Sequence, residues 1–382
     1  MSTNQLTPGV YWVGAIDWDI RNFHGYSTHR GSTYNAYLIV DEKIALIDTV
    51  KAPFFPEMLR RIKEIVDPGK IDYLISNHVE MDHSGSLPMI LKEAPRAQLI
   101  TTEKFGEAGL KKHFGIERPM MPVKEGSTLD LGKRTLAFVP TPMLHWPDSM
   151  VTYSPHDEIL FSNDAFGQHL ASSGRFDDEV DGAVLMQEAT KYYANILMLF
   201  GHLIPGAVKK LGGLKIKMIA PSHGIIWRSD PGKIISAYVD WSSGKTTSKA
   251  LIIYDTMWHS TAKMACAIAD GLTAEGITIK VYNLTTSDKS DIMTHVLDAK
   301  ALVIGSPTLN NGMFPSVAEF LCYLKGLKPK NKIGAAFGSY GWGGGATKAM
   351  IPEMQQAGIE IVEPELTLKW VPEERELAEC VA

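Results

Sequence analysis

A short polar segment, "SNHVEMDHSGS" at residues 76–86, concentrates side chains that can bind a metal ion. Four such residues fall within six positions: His78, Glu80, Asp82 and His83. They offer nitrogen and oxygen donors and no sulfur. The preceding "IDYLI" is typical of a buried strand, so the cluster lies in the loop where that strand ends. Such a loop can direct alternate side chains towards one point, which indicates a metal site.

Three more candidate ligands occur at the ends of strand-like segments. His145 lies in "PMLHWPDS" after one apolar run, Asp164 follows "EILFS", and His223 follows "KMIA". A single histidine in a polar loop is usually a solvated side chain. Because these three residues recur at strand ends and accompany a cluster of four, a shared metal site is the better interpretation.

A second kind of chemistry is indicated by "LIIYDTMWHST", which joins an apolar strand to the helix-like "AKMACAIADGL". The hydroxyl groups of Thr256, Ser260 and Thr261, together with backbone amides at the start of the helix, form a cradle for an anion such as a phosphate. Hydroxyl residues at helix starts also serve as simple caps, so this loop alone does not decide between a cap and a ligand site.

Two later loops favour the ligand site. "GSPTLNNGMFP" follows the strand-like "ALVIG", and "FGSYGWGGGATKAM" follows "IGAAF". Glycines allow the backbone to approach a ligand closely, and Tyr340 and Trp342 offer flat stacking surfaces. In folds built on a parallel sheet, ligands bind at the loops that follow the strands. The predicted binding residues are Thr256, Met257, Trp258, His259, Ser260, Thr261, Pro307, Thr308, Leu309, Asn310, Asn311, Ser339, Tyr340, Gly341, Trp342, Gly343 and Gly344.

Two sheets of different kinds are predicted to position these sites. Residues 33–50 read as two strand-like runs around the turn "DEK", and similar runs alternate with helix-like stretches up to about residue 240. That pattern predicts a layered α/β sandwich. The small, polar residues 240–250 are a linker candidate, and five short apolar runs after them predict a doubly wound parallel sheet. We therefore predict two domains, 1–247 and 248–382.

Composition excludes several classes of protein. The 382 residues, 45% hydrophobic and 21% charged, are typical of a soluble globular protein of two domains. A net charge of -5 argues against a nucleic-acid binder. No apolar run approaches the roughly 20 residues that cross a bilayer, which argues against a membrane protein, and the first residues do not resemble a signal peptide. The three cysteines form no CxxC pair, which favours a cytoplasmic protein without a rubredoxin-type iron site of its own.

The metal motif resembles a known fold. His-x-Glu-x-Asp-His, followed by further His, Asp and His ligands, is similar to the metallo-β-lactamase pattern, and "ALIDT" with Asp48 resembles the first acidic motif of that fold. Hydrolases of the fold carry histidine where this chain carries Glu80, and they usually bind zinc. Over essentially its whole length the chain resembles the flavodiiron proteins, which reduce O2 and NO. The resemblance implies an N-terminal αββα sandwich followed by a flavodoxin-like doubly wound parallel sheet.

By this resemblance the metal site holds two iron ions. The implied ligands are His78, Glu80 and His145 for one iron, Asp82 and His223 for the other, and Asp164 as the bridge between them. His83 either binds the second iron or turns away from it, and both alternatives stay open. Glu80 has a physical reason: zinc tolerates nitrogen-rich sites, whereas iron that cycles between ferrous and ferric states favours anionic oxygen.

The resemblance also implies one FMN and two residues of a substrate pocket. The loop that begins at Thr256 resembles the flavodoxin loop that holds the FMN phosphate. It departs from that pattern at Trp258, which replaces a threonine, and at His259, which replaces a glycine. His24 is implied to lie over the open iron positions as a hydrogen-bond donor, and Tyr193 to face the same pocket. The alternatives are a surface histidine and a packed tyrosine.

The implied function is reduction of O2 to water, of NO to N2O, or of both, with electrons passing from FMN to the iron pair. A separate rubredoxin-like carrier is the implied donor, and the implied assembly is a head-to-tail homodimer or a dimer of such dimers. The alternative enzyme is a zinc hydrolase, such as a thioesterase, fused to a flavodoxin domain. A non-enzymatic alternative is an electron carrier or a gas-sensing module. Metal analysis and turnover with a reductant separate these alternatives.

Overall fold

The computed structural model describes residues 4–362 and 365–382, which form two compact units. The first unit contains the described residues up to His24, together with Thr28–Tyr192 and Leu203–Val239. The second unit contains Gly25–Ser27, Tyr193–His202 and the described residues from Asp240 onwards. Two short segments that precede residue 240 therefore belong to the second unit, so a single boundary in the sequence does not separate the two units.

Short strands and helices alternate along the first part of the chain, as its hydrophobic pattern predicts. The strands are β1 (Asn4–Thr7), β2 (Val10–Trp12), β3 (Ala15–Asp17), β4 (Asn22–Phe23), β5 (Tyr26–Ser27), β6 (Ser32–Tyr34), β7 (Tyr37–Val40), β8 (Ile44–Ile47), β9 (Tyr73–Ile75), β10 (Gln98–Thr102), β11 (Met120–Val123), β12 (Thr128–Asp130), β13 (Thr135–Pro140), β14 (Met150–Ser154), β15 (Ile159–Asn163) and β16 (Met218–Pro221). The helices are α1 (Phe55–Ile65), α2 (Met81–Ser84), α3 (Leu87–Glu93), α4 (Phe105–Phe114), α5 (Gly182–Tyr192), α6 (Ile204–Leu211) and α7 (Pro231–Ser243).

Two sheets in the first unit share one core. The seven-stranded sheet has the order β1-β2-β7-β8-β9-β10-β11, and the five-stranded sheet has the order β12-β13-β14-β15-β16. Buried side chains of both sheets, such as Ile39 and Phe138, belong to one hydrophobic cluster. Because successive residues of a strand point to opposite faces, Leu38 instead packs with Met58 of α1 and Leu87 of α3. These layers confirm the predicted sandwich, and β7 and β8 form the predicted hairpin.

The second unit is built around one parallel sheet. Its order is β18-β17-β19-β20-β21, and a sixth strand, β22, pairs in parallel with the second half of β20. The five predicted strands are confirmed as a doubly wound sheet, whereas β22 was not predicted. The strands are β17 (Thr247–Tyr254), β18 (Thr278–Asn283), β19 (Ala299–Gly305), β20 (Lys332–Tyr340), β21 (Ile359–Ile361) and β22 (Leu366–Lys369). The helices are α8 (Ser260–Ala274), α9 (Lys289–Val296), α10 (Pro315–Leu327), α11 (Ala346–Gln356) and α12 (Glu374–Val381).

The linker prediction for residues 240–250 is wrong. Helix α7 continues through Ser243, and β17 begins at Thr247, so most of these small polar residues lie in regular elements. Ser242 is buried, which shows that a small polar side chain can fit a packed helix face as well as a loop. The domain boundary at 247/248 stays a prediction. In this part of the chain the compact units divide between Val239 and Asp240.

Among the described residues, no helix combines the length and the apolar character that crossing a bilayer requires.

Candidate active site

The predicted metal ligands lie just beyond strand ends. Strand β9 ends at Ile75 and leads through the next loop into α2, β15 ends directly before Asp164, and β16 ends two residues before His223. The ligand atoms form two groups, and within each group all atoms lie within 4.8 Å of one another. The first group is His78, Glu80, His145 and Asp164, and the second group is Asp82, His83 and His223.

Asp164 presents one oxygen to each group. Its Oδ1 lies 3.0 Å from Nε2 of His83 and 3.6 Å from Nε2 of His223. Its Oδ2 lies 3.4 Å from Nε2 of His145 and 3.8 Å from Nε2 of His78. A carboxylate placed in this way can bridge two metal ions, the role that the resemblance implied for it.

His83 lies inside the second group. Its ring is buried, and Nε2 lies 3.4 Å from Oδ1 of Asp82. Of the two alternatives that the sequence left open, the structure therefore has the ring directed towards the other ligands and not turned away from them.

The donor set fits metal cations. Oδ1 of Asp82, Oδ2 of Asp164 and Nε2 of His83 are buried and form no hydrogen bond among the described residues. Buried polar atoms of this kind are costly unless another group satisfies them. Two bound cations would give each of these atoms a partner, and the mixture of carboxylate and imidazole donors suits iron.

The electrostatics of the cluster favour positive charge at its centre. Burial lowers the pKa of His78, but hydrogen bonds to Asp148 and Glu80 outweigh burial and raise that pKa to about 10. Burial likewise lowers the pKa of His83, and the nearby carboxylates, Asp164 foremost, raise it to about 10. The field that favours protonated imidazoles equally favours a metal cation in place of the protons.

Two outer partners orient histidines of the candidate metal site, and neither was predicted from the sequence. Oδ2 of Asp148 lies 3.0 Å from Nδ1 of His78. The backbone carbonyl of Thr33 lies 2.7 Å from Nδ1 of His223. Both contacts engage Nδ1 and leave Nε2 facing the metal site, which fixes the tautomer that a neutral ligand needs.

His24 lies at the exposed side of the first group, close to Glu80. Its Nε2 is 3.5 Å from Oε1 of Glu80, and its side chain is 75% exposed. Its ring meets that of Phe23 edge-on, with 4.5 Å between the centroids. His24 can therefore offer a hydrogen bond beside Glu80 while it stays in contact with solvent.

Tyr192, and not the predicted Tyr193, is hydrogen-bonded to the candidate metal ligand Asp164. The hydroxyl of Tyr192 donates a hydrogen bond to Oδ1 of Asp164 at 3.0 Å. Tyr193 belongs to the second unit, where its ring packs 5.1 Å from that of Trp241. Helix α5 ends at Tyr192 and a π-helical turn begins at Tyr193. Because successive helical residues point about 100° apart, the two neighbouring rings cannot face the same site.

The three predicted loops of the second unit line one cavity of about 700 Å³. Trp258 and Trp342 are 82% and 95% exposed at its wall, which leaves broad ring faces for a flat ligand. Trp370 and Val371, which follow β22, also line the cavity and were not predicted. The predicted residues that line it are Met257, Trp258, Ser260, Pro307, Thr308, Leu309, Asn310, Asn311, Ser339, Tyr340, Gly341, Trp342 and Gly343.

The other four predicted residues lie beside the cavity. Oγ1 of Thr256 is buried and forms no hydrogen bond among the described residues, so a phosphate oxygen would satisfy it. Oγ1 of Thr261 lies 2.9 Å from Oγ of Ser339, which joins the first and third loops. His259 adopts a φ of 67°, a conformation that favours glycine and explains the glycine of the flavodoxin pattern. Gly344 follows in the third loop. This arrangement fits FMN.

Gly345 gives a test of the flavin site. A Cβ at this position would lie 2.3 Å from the carbonyl oxygen of Asn311. We expect Gly345→Ala to displace the loop of Asn311 and weaken FMN binding about tenfold, since overpacking costs ~1–3 kcal/mol. Titration of the FMN-free protein, followed by quenching of flavin fluorescence, measures this affinity. Gly326→Ala in α10, a residue that does not line the cavity, is the control, because a Cβ there meets nothing within 4 Å. Equal losses in both variants would contradict the steric explanation.

Two family models match the chain. The model described as "ODP family beta lactamase" matches residues 33–224, and the flavodoxin model matches residues 252–382. A nitric oxide reductase of Moorella thermoacetica is 52% identical over 381 residues, which cover 98% of this chain and 95% of that relative. Both halves of the chain thus have relatives that share the same order of domains.

Solved structures agree with these matches. The rubredoxin oxygen:oxidoreductase of Desulfovibrio gigas has a TM-score of 0.97 and 41% identity, and covers 100% of this chain and 96% of that chain. The flavodiiron protein of Giardia intestinalis has a TM-score of 0.97 and 40% identity, and covers 100% of this chain and 94% of that chain. The chain therefore belongs to the flavodiiron protein family, oxidoreductases that combine a non-heme diiron centre with an FMN-binding flavodoxin-like domain.

Proposed function

We propose that this chain reduces O2 to water, NO to N2O, or both, at its diiron centre, with electrons supplied through FMN. The observation that carries the proposal is Glu80, a carboxylate in the first group where hydrolases of the fold place an imidazole. A relative named as a nitric oxide reductase and a solved structure named as a rubredoxin oxygen:oxidoreductase support both substrates. A zinc hydrolase fused to a flavodoxin domain is not favoured, because these relatives are oxidoreductases.

The electron count fits both gases. Two iron ions and one FMN, when bound and reduced, supply four electrons, which is the number that converts O2 to two waters. Reduction of two NO to N2O and water needs only two. The protein contributes the ligands, their geometry and the surroundings of the site.

The residues of this chain have separable roles around the centre. Asp164 holds the two groups together, and the hydroxyl of Tyr192 fixes the orientation of its Oδ1. Glu80 and His145 are each 16% exposed, whereas Asp82 is 3% exposed, so a small gas molecule reaches the centre from the side of the first group. His24 lies on that side, where its Nε2 is 3.5 Å from Oε1 of Glu80 and can donate a hydrogen bond.

The holoprotein is expected to contain about two iron ions and one FMN per chain, as two ligand groups and one flavin cavity imply. Elemental analysis and flavin absorbance of protein grown with ample iron measure both. Zinc occupancy, with no activity that depends on iron, would support the hydrolase instead.

Tyr192→Phe is expected to lower turnover about tenfold or more, because a hydrogen bond to an ionised carboxylate contributes about 1.5–3 kcal/mol. The iron content should stay near two per chain, since no ligand is removed. Steady-state consumption of each gas with excess reductant measures the effect. Tyr193→Phe is the matched control, one residue away in the chain, and should retain most of the activity. A larger loss in Tyr193→Phe would reverse our assignment of the two tyrosines.

The partners follow from the same reasoning. A rubredoxin-like carrier is the proposed electron donor, a proposal supported by the solved structure named as a rubredoxin oxygen:oxidoreductase, and rapid reduction of bound FMN by reduced rubredoxin tests it. A head-to-tail homodimer, or a dimer of such dimers, is the proposed assembly, because it would bring the FMN of one chain to the iron pair of another. Light scattering coupled to gel filtration distinguishes a monomer from either assembly.

The proposed location is the cytoplasm, in agreement with the scattered cysteines.

A further inference from the structure

The two metal groups offer the same kinds of ligand. Apart from the shared Asp164, the first group contributes His78, Glu80 and His145, and the second contributes Asp82, His83 and His223. Each iron would therefore have two imidazoles and one carboxylate of its own. A difference in iron affinity between the groups has to arise largely from what surrounds these ligands.

The far nitrogens of the imidazoles have different surroundings. In the first group, Nδ1 of His78 lies 3.0 Å from a carboxylate oxygen of Asp148. In the second group, Nδ1 of His223 lies 2.7 Å from the neutral backbone carbonyl of Thr33. Nδ1 of His83 is buried and forms no hydrogen bond among the described residues. A charged acceptor is thus found behind the first group, and a neutral acceptor or none behind the second.

The carboxylate of Asp148 is held in place by contacts with the protein itself. Its Oδ2 also accepts a hydrogen bond from the backbone N–H of Val79 at 2.7 Å. Its backbone carbonyl accepts a hydrogen bond from Oγ1 of Thr102 at 2.9 Å. The residue is 3% exposed, so little water competes for the contact with His78. Its placement points to a built contact and not to a chance approach of two side chains.

We propose that Asp148 is a positioning residue that makes the two iron sites unequal, so that the first group binds iron more tightly than the second. A carboxylate that accepts a hydrogen bond from the Nδ1–H of His78 increases the electron density at Nε2 and fixes the ring towards the metal. The Thr33 carbonyl does the same for His223 more weakly, because it carries no net charge. The inference rests on the diiron assignment and not on which gas is reduced.

The test measures iron binding under anaerobic conditions. Ferrous holoprotein is equilibrated with increasing concentrations of a ferrous chelator, and the iron retained is counted. Wild type is expected to lose iron in two steps separated by about 10–100-fold in chelator concentration. Loss of a hydrogen-bonded partner of a metal ligand typically lowers metal affinity by this factor. Asp148→Asn replaces the charged acceptor with a neutral one, and should weaken the tighter step by a similar factor. Mössbauer spectra should show two ferrous environments in wild type, and the variant should shift one of them.

Two variants separate the charge from general damage to the loop. Asp148→Glu keeps a carboxylate and should retain at least part of the difference in chelator concentration between the two steps of iron loss. Ser149→Ala removes the hydroxyl that accepts from the Trp146 N–H in the same loop, and should leave both steps unchanged. FMN content reports on folding of the second unit in every variant.

Three results would overturn the inference: a single step and a single ferrous environment in wild type, equal weakening of both steps in Asp148→Asn, or the same loss in Ser149→Ala. If Asp148→Asn does not fold, Asp148→Glu takes its place, and a single step in wild type would still overturn the inference. Because no gas is consumed in these measurements, absence of O2 and NO reduction would count against the proposed function and leave this inference standing.

Discussion

Glu80→His is expected to lower the iron content sharply and to remove most of the reductase turnover, while FMN content stays unchanged. Oε2 of Glu80 lies 3.3 Å from Nε2 of His78 and 3.4 Å from Nε2 of His145, so the variant would give the first group three imidazoles. Loss of an anionic oxygen favours zinc over iron. Loss of an outer partner alone lowers metal affinity by about 10–100-fold. Loss of a direct anionic ligand should therefore lower the affinity for iron, relative to that for zinc, by at least about 100-fold. Elemental analysis and gas consumption measure the two effects.

Two controls sharpen the Glu80 experiment. Met81→His adds an imidazole at an exposed neighbouring position and removes no ligand, so iron should be retained. Glu80→Asp keeps the negative charge on a shorter side chain and should keep more iron than Glu80→His. If Glu80→His showed wild-type iron content and turnover, the carboxylate would not be what selects iron in this family.

Asp164→Asn is expected to release both irons, and not one, because the two oxygens of Asp164 face different groups. The amide that replaces the carboxylate carries no charge and offers only one oxygen. We expect a loss of more than about 100-fold in affinity for each iron, beyond what an outer partner is worth. Chelator competition and elemental analysis measure the loss, and turnover should fall with the number of intact iron pairs.

Ser162→Ala is the matched control for Asp164→Asn. Its hydroxyl donates to the backbone carbonyl of Ala165 at the same end of β15, but it is not a ligand. The control tests whether any disturbance of this turn releases metal. Retention of one iron per chain in Asp164→Asn would contradict the bridging role, and equal loss in Ser162→Ala would assign the effect to the turn.

The seven candidate metal ligands could be proposed from the sequence because each follows shortly after an apolar strand, in a loop or, for Asp82 and His83, in the short helix α2. Ligand types are few, and strand ends are visible in the hydrophobic pattern, so their coincidence is informative. The five parallel strands of the second unit were predicted for the same reason. Strand β22 was not, because "LTLK" is short, ends in a charged residue and lacks a long apolar run. Trp370 and Val371, which follow it, were therefore missed as cavity residues.

Contacts between distant parts of the chain could not be predicted. Asp148 lies three residues after His145, yet it contacts His78, 70 positions earlier in the chain. The partner of His223 is a backbone carbonyl, for which no side-chain pattern exists. The choice between Tyr192 and Tyr193 depends on where α5 gives way to the π-helical turn, and helix ends are the part of a helix that sequence patterns define least well.

The most direct measurement of the central claim compares the full-length protein loaded with iron and the same protein loaded with zinc. Both preparations, with FMN bound, are supplied with excess reductant through rubredoxin and exposed separately to O2 and to NO, and consumption of each gas is followed together with N2O formation. The iron-loaded protein is predicted to turn over at least one gas in proportion to its content of iron pairs, and the zinc-loaded protein to turn over neither beyond the slow reaction of free reduced flavin with O2. Equal rates in the two preparations, or no turnover of either gas by the iron-loaded protein, would contradict the assignment of this chain as a diiron reductase.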